Sequence, residues 1–167
     1  MKRLFLLAAL LVSQAAAPAT AYPAPDCALY ETAYDAVAPQ LAEARVGNRT
    51  SVFATMAIDR AHAPGFGKPK ALEGGQAGPI SDLAGCPALI ARIEASGAPV
   101  KFSRPPVLRQ VDGPHVEAFS RTVAKDGKLY VTYYIGRDAG VDVLLARDEA
   151  GDWKVVSVQS WETIIVT

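Results

Sequence analysis

From Val116 onward the sequence reads as one strand after another, and this alternation limits the fold more than any other feature. Val116 to Val123 is extended, Asp126-Gly127 is a hairpin turn, and Leu129, Val131, Tyr133 and Ile135 alternate on the return strand. Val141 to Ala146 and Trp153 to Val166 keep the same period, parted by the polar turn RDEAGD. A period of two sends alternate side chains to one face, so each strand carries an apolar side that must be covered. The pattern predicts an antiparallel meander.

The first half of the chain supplies the cover. Asp26 is placed to cap a helix whose apolar face is Tyr30, Tyr34, Val37 and Leu41. Cys27 projects from that face, and Pro39 should kink or end the helix near Ala38. Ser51 to Asp59 alternates with Val52, Ala54, Met56 and Ile58 on one side, which predicts a half-buried strand. In CPALIARIEASG, Pro87 fits the first helical position, Leu89, Ile90 and Ile93 form the face, and Gly97 fits the stop. The expected fold is α+β: two N-terminal helices packed on a C-terminal antiparallel meander sheet.

The opening MKRLFLLAALLVSQAAAPATA has the layout of an export signal. Lys2 and Arg3 precede an apolar run from Leu4 to Val12, and Ala19-Thr20-Ala21 is a small-x-small cleavage site. The run is shorter than the roughly 20 apolar residues of a membrane span. Residues 1–21 therefore read as a signal peptide and 22–167 as a single domain, periplasmic or secreted, with no membrane span in the mature chain. Cleavage removes two positive charges from a balance of 17 against 17, leaving a slight negative excess. No basic surplus remains for a phosphate backbone, which argues against nucleic-acid binding. An oxidising compartment also gives the two cysteines, Cys27 and Cys86, their simplest reading as a structural disulfide. Neither belongs to a C-x-x-C pair or to a Cys/His cluster, so no metal site is expected.

The KFSRP segment, followed by strands and a closing LLARDEAGDWKVVSVQSW, resembles a group of exported bacterial domains of uncharacterised function. In these an FSRP-like strand precedes a sheet that ends in G-x-W-K-V-V. The resemblance covers residues 100–161 and implies no catalytic residue. A looser likeness is to the nuclear transport factor 2-like cone, which hosts both enzymes and ligand-binding modules. The short second helix and the early strand depart from that pattern.

The glycine-rich HAPGFGKPKALEGGQAGP, residues 62–79, invites a phosphate-loop reading that its spacing refuses. The residue six before Lys68 is His62 rather than glycine, and Pro69 stands where a serine or threonine should follow the lysine. Residues 60–80 are instead a long connection, either a lid or an irregular excursion. His62 lies three residues after Asp59, too few ligands for a metal by themselves. His115 and Glu117 are two apart on an expected strand and could form a His–carboxylate pair for acid–base chemistry. The ordinary reading of both histidines is exposed loop residues. Arg104, Arg109, Arg121 and Arg137 all fall in the sheet half, where their forks could gather on an anion or simply guard strand edges. No G-x-S-x-G elbow is present. These features point first to an exported binding or interaction module, without cofactor, for a small-molecule ligand or a cell-envelope protein. The alternatives are a small periplasmic hydrolase-like enzyme, using a histidine with a carboxylate or arginine under the 60–80 loop, and a structural cell-envelope protein.

Overall fold

The computed structural model describes residues 22–44, 51–58, 74–96, 100–103, 115–136 and 139–162. The expected signal peptide and the greater part of the 60–80 connection lie outside them. The fold class is mixed α+β, with two α-helices and an eight-stranded sheet.

Helix α1, Cys27–Ala44, starts where its cap predicts. The Leu29 amide donates to the Asp26 carboxylate at 3.3 Å, satisfying one of the free donors of the first turn. Pro39 does not end the helix, which continues for five more residues. Pro39 faces solvent, whereas Val37 and Leu41 on either side of it are buried in the core. Burial of those flanking residues outweighs one missing backbone hydrogen bond. Helix α2, Pro87–Ala95, opens on Pro87 and buries Leu89 and Ile93. Arg92 of α2 reaches both Asp35 and Glu31 of α1, an exposed ionic tie between the helices.

The strands are β1 (Ser51–Ile58), β2 (Gln76–Ala77), β3 (Val100–Ser103), β4 (His115–Ser120), β5 (Val123–Lys125), β6 (Lys128–Ile135), β7 (Ala139–Arg147) and β8 (Trp153–Glu162). Strands β4, β6, β7 and β8 pair antiparallel in that order, as the meander pattern predicts. Strand β5 prolongs the β4 side of β6, and β2 pairs outside it. Asp126 and Gly127 both take positive φ, 52° and 71°, the conformation a two-residue hairpin between β5 and β6 requires.

The other side of the sheet differs from the expectation of a purely antiparallel meander. Strand β1 lies between β3 and β4 and is parallel to both. Parallel neighbours need a long crossover, and α2 lies within the connection from β1 to β3. The position also changes which face of β1 matters. Phe53, not the Val52–Ala54–Met56 side, joins the main core, and Ser51, Ala54, Thr55 and Ala57 are buried as well. An inner parallel strand is covered on both faces, so simple alternation understates its burial.

The main core is built on aromatic rings. Phe119 stands 4.8 Å from Tyr133 and 5.2 Å from Tyr30 between ring centres, both edge-to-face, and 6.3 Å from Phe53. Tyr34 contacts Tyr133 at 5.9 Å, and Phe53 meets Phe102 of β3 at 6.0 Å. A smaller cluster on the opposite face runs in register across Ala54, Ala118 and Tyr134, with Trp161 packed against it. Gly140 is required there, because a Cβ would lie 2.5 Å from the Trp161 ring and 3.0 Å from the Tyr133 carbonyl.

The Cys27 and Cys86 sulfurs are 2.08 Å apart, a disulfide joining the first turn of α1 to the cap of α2. Beside it, the Asp26 carboxylate accepts from Trp153 Nε1 at 2.9 Å and from Arg147 at 3.0 Å. The Arg147 guanidinium also lies over the Trp153 ring, 4.1 Å from its centre. The start of α1 is thus tied to α2 and to the β7–β8 hairpin at one point.

Burial, and secondarily the charge of Asp26, push the Tyr30 hydroxyl up to about 12. The unfolded chain, at the ordinary value of about 10, gives up this proton first. The stability the group supplies is therefore full below about pH 10 and is lost as pH rises through about 12, a loss of about 3 kcal/mol. Urea midpoints measured from about pH 9 to about pH 12 should fall more steeply for the wild type than for Tyr30→Phe. Equal slopes would contradict this account.

Candidate functional site

Glu117 is the only acidic residue in the expected His–carboxylate pair, and its surroundings decide what it can do. It sits at the centre of the sheet, in register with Phe53 on β1 and Ile135 on β6. Its side chain is 1% exposed and accepts a hydrogen bond from the Tyr133 hydroxyl. Tyr34, whose ring touches Tyr133, has a buried hydroxyl with no hydrogen-bond partner among the described residues. A buried carboxylate held by a tyrosine inside an aromatic core organises the core rather than meeting a substrate.

His115 is the first residue of β4, in register with Ser51 and two residues before Glu117. Its side chain, like His62, Arg104, Arg109 and Arg137, lies outside the described residues. Arg121 is half-buried at the step between β4 and β5. The Ser120 hydroxyl repairs the ladder at this step, accepting from the Thr132 amide at 2.9 Å and donating to the Arg121 carbonyl at 2.8 Å. The end of the 60–80 connection is ordered against the same place. Gln76 and Ala77 pair with β5, and the Gly78 amide donates to the Thr122 carbonyl at 2.8 Å.

The feature that the sequence reading missed lies at the sheet's margin. Strand β8 pairs with β7 on one side, and no described strand occupies the other. Among the described residues four large apolar side chains are exposed, and three belong to β8: Val155 at 39%, Val156 at 49% and Val158 at 36%. Val158 and Val155 are in register with Val143 and Leu145, which are fully buried in the main core. The apolar layer therefore runs outward along the sheet and emerges at its edge. The register slips at Val156, the extra residue of a bulge. The doubled Val155-Val156 in the sequence, which breaks strict alternation, is the signal that could have located it.

Among the described residues no three His, Cys, Asp or Glu side chains gather as metal ligands, and no helix is long and apolar enough to cross a membrane. No protein-family model, curated protein or solved structure matches the chain.

Proposed function

We propose that this protein is an exported, soluble binding module whose working surface is the outer edge of β8. The observation that carries this reading is the run of three exposed valines on a ten-residue edge strand. An edge strand offers a row of backbone donors and acceptors that only another extended chain can match. Proteins usually blunt such edges; here Lys154 and the bulge protect one end, while Ser157 to Glu162 stays regular. In this reading the two helices are the layer backing the sheet, supported by the Tyr30–Phe119 and Tyr34–Tyr133 contacts. The signal-like N-terminus and the disulfide support export. Catalysis by Glu117 is disfavoured because substrate would have to enter the aromatic core.

The test places a photo-crosslinking residue at Gln159, which is exposed on β8, with a second at exposed Lys128 of β6 as control. Irradiation of cells exporting each variant should give a protein adduct from position 159 and none from 128. No adduct from 159 above the control would end the reading.

A further inference from the structure

We infer that the occupant of this edge is β8 of a second copy, paired antiparallel across a two-fold axis near Val158. The inference rests on the interaction reading above and names its partner. Three observations carry it. First, an antiparallel pair of identical strands is self-complementary, and the two-fold axis stands perpendicular to the sheet. Both copies then present the same face on the same side. The exposed Val155 and Val158 of each copy would continue the apolar layer that starts at Val141, Val143 and Leu145. A foreign strand would have to bring its own valines in that register.

Second, charge agrees with this orientation. The strand WKVVSVQSWE carries one lysine near its start and one glutamate at its end. A two-fold axis near Val158 brings the Lys154 end of one copy beside the Glu162 end of the other. A parallel arrangement would set like charges together. Third, the bulge at Val156 bends one end of β8, so an unrelated straight strand would find a regular ladder only along the second half. A two-fold partner brings the same bend to the matching place.

Sedimentation velocity of the mature, disulfide-bonded protein tests the inference across a concentration series. A monomer–dimer equilibrium is expected, and Val158→Lys should weaken it at least about tenfold, because two ammonium groups would face each other at the axis. Val156→Lys, farther from the axis, should weaken it less, and it replaces the first variant if circular dichroism shows that Val158→Lys does not fold. A wild type that stays monomeric up to about 1 mM would overturn the second-copy partner. So would a dimer indifferent to both substitutions. Crosslinking at Gln159 separates this failure from that of the broader reading. An adduct of twice the monomer mass supports the dimer, whereas an adduct with another protein alone overturns the second copy and leaves an interaction edge standing.

Discussion

Replacing both cysteines, Cys27→Ala with Cys86→Ala, should lower the unfolding free energy by about 4 kcal/mol. The bond closes a loop of 59 residues, and loop-closure entropy at that length accounts for the size of the loss. The placement adds to the effect. Cys86 is fully buried in the main core and caps α2, while Cys27 opens α1 beside the Asp26–Arg147–Trp153 tie. Without the bond, the exposed ion pairs of Arg92 still join the helices, but pairs so accessible to water hold weakly. Urea denaturation of the oxidised wild type against the double variant measures the loss, and the reduced wild type should match the variant. A difference below about 1 kcal/mol would mean that the disulfide constrains little in the unfolded chain.

Phe119→Ala should cost about 3–5 kcal/mol, the range for removing a buried aromatic ring. The figure belongs at the upper end because of what the ring touches. Tyr30 of α1, Phe53 of β1 and Tyr133 of β6 all meet it, so the void opens where the helix, the parallel strands and the meander converge. These neighbours cannot easily close the gap. Tyr133 is held by its hydrogen bond to Glu117, and Phe53 by its contact with Phe102. Val156→Ala removes an exposed side chain and should change stability by less than about 0.5 kcal/mol. Denaturant midpoints of the two variants side by side give the contrast. A small loss for Phe119→Ala would mean that the core repacks around the gap.

Glu117 shows how far a sequence reading of a site can go. Its place on a strand, two residues from His115, is legible because strand period is local. Its enclosure by Tyr133 is not, because that hydrogen bond spans 16 residues and depends on β4 pairing with β6. The Arg147–Trp153–Asp26 cluster is harder still to foresee. Arg147 and Trp153 face each other across a hairpin, but Asp26 is more than 120 residues away in the chain. Only the packing of α1 against the β7–β8 end brings it there.

The sequence by itself determined what depends on neighbours a few residues apart. Those are the period of two in β6 to β8, the Asp126-Gly127 turn, the Asp26 cap and the apolar face of α1. Each rests on backbone geometry that repeats within one turn or one hairpin. The tertiary structure alone decided that β1 enters the sheet parallel between β3 and β4, and that β8 ends as an edge with its valines uncovered. Strand order costs loop-closure entropy over long separations and is settled by which faces bury together, so a local pattern carries no record of it.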